Sequence, residues 1–199
     1  MSGLAYPRDR IETCLIEVVL PLSYRIIPGN YLTSPLGTAP ADSRFCTRED
    51  GYTVLYASPD FGTAFIETVV RDRFTRRRRR EVAIQEVTER ACALIATKSG
   101  IMLRLLDLRR DGCALIGAPT DTVNARNHAA GRAFGRVIHA DYADIDGLIY
   151  ASRLTGANIY AVFDRGLGKL EAPDSRMLSD CPELPDVLTR HRIGIFLDP

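Results

Sequence analysis

The run from Leu55 to Val70 constrains this chain more than any other stretch, because it sets an extended segment against a helix and places one carboxylate among apolar neighbours. Ser58 is a good helix N-cap and Pro59 a good first helical residue, so a strand ending near Ala57 is expected to turn directly into a helix. On that helix Phe61, Ala64, Phe65 and Val69 share one side at helical spacing, and Ile66 and Val70 add a second apolar flank. Glu67 therefore falls on a helix packed on most sides. A buried carboxylate costs on the order of several kcal/mol unless it is paired, hydrogen-bonded or kept at a cleft for chemistry. Two readings stay open: the charge escapes through the polar sector of Thr63 and Thr68, or it is held for work. Tyr56 closes the strand just ahead, so its ring and the Glu67 carboxylate can face one cleft. Taken alone, Tyr56 reads as a half-buried strand residue with its hydroxyl in water.

At 199 residues the chain is expected to fold as one domain that buries about 70% of its unfolded surface. The five cysteines, Cys14, Cys46, Cys92, Cys113 and Cys181, are odd in number, scattered and free of any C-x-x-C pair, which suits reduced packing residues in a cytoplasm. The first residues carry no secretory signal, since Glu12 and Glu17 interrupt the only early apolar run, and no membrane span is expected. A net charge of +1 argues against a general nucleic-acid-binding surface. The local exception is Arg76 to Arg80, with Arg71 and Arg73 upstream: a solvated loop, or a place for phosphates or an acidic partner.

Residues 14–20 and 23–27 read as an extended pair or one bent strand, stopped by Pro28-Gly29-Asn30. Arg25 thus lies inside an apolar strand and needs a partner for its planar fork, whether Glu67, another acid or a ligand. Residues 30–43 form an irregular loop leading into Ser43-Arg44-Phe45, and Tyr52, Val54 and Tyr56 alternate as a half-buried strand. Residues 81–96 fit strand or helix equally. Ile101 to Leu108 suits an interior strand, and Asn124 looks like the cap of a helix running to about His139. Gly131 and Gly135, four apart on that helix, would let another backbone approach closely. His128 and His139 lack matching acid or metal-ligand spacing and are expected at the surface or at helix ends. Residues 147–153 and 158–163 read as a hairpin turning at Thr155-Gly156, a Pro-rich tail from Pro173 to Pro185 closes the domain, and residues 191–196 supply a last strand.

No G-x-G-x-x-G follows a strand, Gly166-Leu167-Gly168-Lys169 does not make a phosphate loop, and neither H-E-x-x-H nor G-x-S-x-G occurs. At the residues already singled out, the sequence resembles the RES-domain family, the toxin half of bacterial RES-Xre toxin–antitoxin systems. The resemblance runs from Tyr24-Arg25-Ile26 through Ser43-Arg44-Phe45, Leu55-Tyr56-Ala57-Ser58 and Thr63-Ala64-Phe65-Ile66-Glu67 to Asp146-Gly147-Leu148-Ile149-Tyr150-Ala151-Ser152-Arg153, over about residues 22–165. The family is named for an Arg, a Glu and a Ser, which match Arg25 or Arg44, Glu67 and Ser152. It implies an α+β fold similar to ADP-ribosyltransferase toxins, with mixed and antiparallel sheets and flanking helices. In that frame residues 1–21 are an N-terminal extension and residues 22–199 an NAD-binding domain.

The resemblance further implies degradation of NAD as substrate, with no metal, and a neutralising antitoxin that carries an Xre-like helix-turn-helix domain. Neither nucleic acid nor membrane is expected as a direct partner. Cleaving the nicotinamide–ribose bond builds an oxocarbenium-like centre that a carboxylate stabilises, the role assigned to Glu67. Arg25 and Arg44 would offer forks to the pyrophosphate, Tyr56 a flat face and a hydroxyl, and Ser152 a hydroxyl to orient the nicotinamide ribose or amide. Tyr56 and Arg25 join Glu67 as the catalytic candidates. Water or inorganic phosphate would accept the ADP-ribose, making the chain a glycohydrolase or a phosphorylase. Transfer of ADP-ribose to a protein, and a non-catalytic module that binds NAD or a partner, are the competing readings.

Overall fold

Two sheets meet at the end of one strand, and that meeting point positions the cleft. The structure, a computed structural model, describes residues 5–197; positions 1–4 of the expected extension and positions 198–199 lie outside the described residues. The strands are β1 (Leu15–Val18), β2 (Ser23–Pro28), β3 (Val54–Ala57), β4 (Glu81–Ala83), β5 (Arg90–Thr97), β6 (Leu103–Asp107), β7 (Gly147–Ala151), β8 (Asn158–Phe163), β9 (Leu170–Met177) and β10 (Gly194–Phe196). A five-stranded mixed sheet has the order β1-β6-β7-β8-β3, and a three-stranded antiparallel sheet the order β2-β5-β9. A short parallel pair, β10 with β4, completes the set. The α+β class with flanking helices is as the sequence implied.

The sheets are stitched together where Tyr24 and Ser58 exchange backbone hydrogen bonds, Tyr24 N donating to Ser58 O at 2.7 Å and Ser58 N to Tyr24 O at 3.0 Å. Arg25 on β2 and Tyr56 on β3 are thereby brought to one corner. Behind that corner, Leu55, Ala93, Ile95, Leu105 and Ile149 form an apolar layer between the two sheets, each at most 1% exposed. Burying the leucine and isoleucine side chains of this layer stabilises the fold by roughly 1.5–3 kcal/mol each, which fixes the strands that carry the cleft.

Several sequence expectations change in detail. Residues 15–18 and 23–28 are not a pair, because β1 joins β6 in the large sheet while β2 joins β5 in the small one. Segment 81–96 is both alternatives in turn: β4, a helical turn over Gln85–Thr88, then most of β5, the central strand of its sheet. Asn124 ends a short helical turn, Asp121–Asn124, and the long helix is Ala129–Asp141, whose first amide donates to Asn127 Oδ1 at 2.9 Å. Pro173 lies within β9, an edge strand, where a missing N–H is tolerated. The hairpin β7–β8 forms as expected, with Gly156 at φ 79° in its turn. All five cysteines are free and buried. Among the described residues no helix is long and apolar enough to cross a membrane.

Candidate active site

The segment after β3 begins the site. Asp60, not Ser58, caps the following helix: its Oδ2 accepts from both Thr63 N and Thr63 Oγ1 at 2.6 Å. Ser58 is diverted by the sheet, donating from Oγ to Asn158 O at 2.8 Å. The helix Phe61–Phe65 is buried throughout, then widens over Ile66–Val70 into a π-turn closed by Arg71 N on Ile66 O at 2.6 Å. Such turns insert an extra residue and concentrate at functional sites. Here the turn keeps Ile66, Val69 and Val70 in the core and leaves Glu67 and Thr68 half-buried on the wall of a cleft.

That cleft encloses about 580 Å³, and Arg25, Arg44, Tyr56 and Glu67 all line it. Four of the five candidates named from sequence therefore share one cavity. The fifth, Ser152, is buried off the cleft wall at the end of β7, and its Oγ donates to Glu67 Oε1 at 2.5 Å. Leu154 N and Thr155 N each donate to the same Oγ at 3.1 Å, so the single hydroxyl proton is directed at the carboxylate. Glu67 is thus oriented by the turn of the β7–β8 hairpin, 85 residues away in sequence.

Tyr56 contributes its ring to the cleft and its hydroxyl to the adjoining loop. Phe45 N donates to Tyr56 Oη at 3.2 Å, and Ser43 Oγ lies 2.9 Å from it. Burial pushes the phenol well above its ordinary value. The loop is pressed down by the helix Ala129–Asp141: a Cβ on Gly135 would sit 2.1 Å from Phe45 O, and one on Gly131 2.5 Å from Arg44 O. The close approach expected at these glycines brings Arg44 to the cleft. Arg44 is 8% exposed, donates to Ala125 O at 3.1 Å and lies over the Tyr150 ring, 5.8 Å from its centroid.

Arg25 has no carboxylate partner among the described residues. Its Nη2 donates to Gly37 O at 2.8 Å, and its buried Nη1 has no hydrogen-bond partner. Burial pulls its pKa down to about 10. A guanidinium in that state is under-satisfied and receptive to an anion. The ion pair weighed from sequence, with Glu67 or another acid, is not formed.

Arg71, read from sequence with the Arg76–Arg80 run as a solvated loop or a place for phosphates, lines the cleft; so do Asp72, Arg126, Arg132 and Arg153, which the sequence did not assign to it, and His128, expected at the surface or at a helix end. Asp72 is held by Arg153 at 2.9 Å and Arg126 at 3.3 Å. Arg71 and Arg132 have no carboxylate partner among the described residues; their Nε atoms donate to Glu67 O and Ser43 O, both at 2.9 Å. Burial, followed by the nearby Arg44, Arg132 and Arg71, holds the His128 imidazole below its ordinary value. The spacing of Arg71 four residues after Glu67 was the available signal. His139 instead stacks on Tyr52 at 4.0 Å and pairs with Asp164 at 3.0 Å, away from the cleft. Chemically, the cavity combines an oriented carboxylate, aromatic faces and a surplus of guanidinium groups over carboxylates, which suits an anionic substrate with an electrophilic carbon.

A protein of Sinorhizobium fredii (strain NBRC 101917 / NGR234) named "Probable toxin y4kH" is 36% identical over 99 residues, which is 50% of this chain and 76% of that protein. A chain in the crystal structure of the M. tuberculosis MbcT–MbcA toxin–antitoxin complex shares the fold, with a TM-score of 0.60 at 14% identity over 85% of this chain and 90% of that one. The family model described as the RES domain matches residues 22–180, a span that holds every residue of the cleft, and the chain therefore belongs to the RES domain family.

Proposed function

We propose that this chain is the toxin of a toxin–antitoxin pair and that it acts by cleaving the nicotinamide–ribose bond of NAD. The observation that carries this reading is the Glu67 carboxylate, fixed by Ser152 on the wall of a cleft rich in guanidinium groups without carboxylate partners. Membership of the RES domain family and the named toxins among its relatives support the toxin role.

In the proposed reaction the dinucleotide lies with its pyrophosphate between Arg25 and Arg44, whose forks match phosphate oxygens. The bond between ribose C1′ and the nicotinamide nitrogen breaks, and its electron pair leaves with neutral nicotinamide. The positive charge left on the ribose is stabilised by Glu67, which also accepts from a ribose hydroxyl. Ser152 occupies one lone pair of Oε1 and holds the carboxylate in place. Tyr56 supplies a face for the nicotinamide ring, and its hydroxyl keeps the loop of Arg44 in register. Attack at C1′ by water yields ADP-ribose and a proton; attack by inorganic phosphate yields the 1-phosphate of ADP-ribose. An Xre-like helix-turn-helix protein that covers the cleft would neutralise the toxin.

The test is to incubate the purified chain with NAD, with and without inorganic phosphate, and to separate the products chromatographically. The expected result is one nicotinamide released per NAD lost, with phosphate deciding which ADP-ribose product forms. No release of nicotinamide by the folded protein in either buffer would contradict the reading.

A further inference from the structure

The cleft holds more guanidinium charge than the pair Arg25 and Arg44 provides. Arg71 and Arg132 each give one N–H to a backbone carbonyl, at 2.9 Å, and have no carboxylate partner among the described residues. Of the three carboxylates in the cleft, Asp72 is paired with Arg126 and Arg153, Asp42 accepts the amide of Arg48 at 3.2 Å, and Glu67 is held by the Ser152 hydroxyl, so none of them pairs with Arg71 or Arg132. Like charges gathered in one cavity repel one another unless an anion arrives.

The backbone at Arg71 adds an independent observation. Its φ of 46° and ψ of −127° belong to a region that glycine adopts freely and that a residue with a Cβ rarely does. A glycine would close the π-turn more easily. An arginine there carries strain, and strain of this kind gathers at ligand clamps and active sites. What the arginine supplies is a planar fork beside Glu67, fixed by its bond to the Glu67 carbonyl.

We propose that Arg71 and Arg132, with the imidazole of His128 beside them, form a second phosphate subsite of the cleft, additional to Arg25 and Arg44. The proposal rests on the reading of this cavity as a site for a phosphorylated substrate. The phosphate belongs either to the dinucleotide or to a free inorganic phosphate. His128 reports on the subsite, because burial and the charges of Arg44, Arg132 and Arg71 hold it neutral and an anion there reverses the charge effect.

The test titrates inorganic phosphate and inorganic pyrophosphate separately into the full chain, into Arg71→Gly and into Arg132→Gln. Calorimetry reads affinity and NMR follows the His128 ring. Arg71→Gly is expected to melt at or above the parent temperature, to bind at least one anion about ten- to a hundredfold more weakly, and to raise the His128 titration midpoint without ligand. In the parent, the bound anion is expected to raise that midpoint. Should Arg71→Gly fail to fold, Arg132→Gln carries the same affinity and midpoint test. In turnover assays, a rise confined to the KM for phosphate assigns the subsite to the free anion, and one confined to the KM for NAD assigns it to the dinucleotide. Variants that bind both anions as the parent does, with a His128 midpoint indifferent to them, would overturn the proposal. Failure of the NAD reading is distinct, since it shows as no nicotinamide release by the parent whatever its anion affinity.

Discussion

Ser152 and Arg25 illustrate opposite ways in which a buried polar residue serves the cleft. Ser152 is fully engaged, accepting two amides and donating to Glu67. Ser152→Ala leaves those amides without that acceptor and the carboxylate without its anchor, so stability is expected to fall by about 1–2 kcal/mol and NAD turnover by about a hundredfold. Chemical denaturation together with turnover checks both, and unchanged turnover in a folded variant would contradict the positioning role. Arg25 is under-engaged, and burial disfavours its charged form. Its folded-state pKa lies below the unfolded one, so its charged form destabilises the fold below pH about 10 and that cost fades as pH rises toward its ordinary value. Arg25→Met keeps the apolar stem and removes the charge; it is expected to stabilise the fold by ~1 kcal/mol while weakening dinucleotide binding at least tenfold. Thermal melting and calorimetry read the two effects. Glu67 was legible in the sequence because a carboxylate interrupts an apolar helix, and Arg25 because a guanidinium interrupts an apolar strand. Arg71 was legible only as part of a basic run that reads as a solvated loop or a place for phosphates; Arg132 and His128 were not legible for the cleft, because charge is ordinary at a helix end, and only the fold brings the three together.

At the scale of elements, the Ser43-Arg44-Phe45 loop depends on a helix whose Arg132 lies 89 residues after Ser43. Gly135 lets that helix approach the Phe45 carbonyl, so Gly135→Ala is expected to destabilise the protein by about 3 kcal/mol. Where the variant folds, dinucleotide affinity is expected to drop, because the helix displaces the loop of Arg44. Gly168→Ala meets nothing within 4 Å and serves as the control, with stability unchanged within about 0.5 kcal/mol. Urea unfolding of the two variants makes the comparison, and equal stabilities would contradict the close packing. The paired glycines were readable in the sequence as a request for close approach, but not what would approach. Helix boundaries were readable only to within a few residues. Asp60 displaced Ser58 as the cap because the Ser58 hydroxyl is aimed at the Asn158 carbonyl, and Asn124 lost its role because the backbone turns extended at Ala125 and becomes helical again only at Ala129. The π-turn had no local signature, since it is set by packing of Ile66, Val69 and Val70 on the core.

For the whole molecule, the α+β class was legible through the resemblance to the RES-domain family, whereas the strand order was not. Sequence neighbours such as β1 and β2 enter different sheets, and β2 is hydrogen-bonded to the end of β3 through the bridge at Tyr24 and Ser58. That bridge makes the cleft, because it sets Arg25 beside Tyr56 and opposite Glu67's helix. This corner, in a chain that belongs to the RES domain family, is the basis for the proposed reading as an NAD-consuming toxin. The most direct measurement is the NAD content of cells after induction of this chain alone, beside a Glu67→Gln version that keeps the shape and removes the charge. NAD is predicted to collapse with the parent and to hold with the variant, at equal amounts of folded protein. NAD that stays level with the folded parent would contradict the account at its centre.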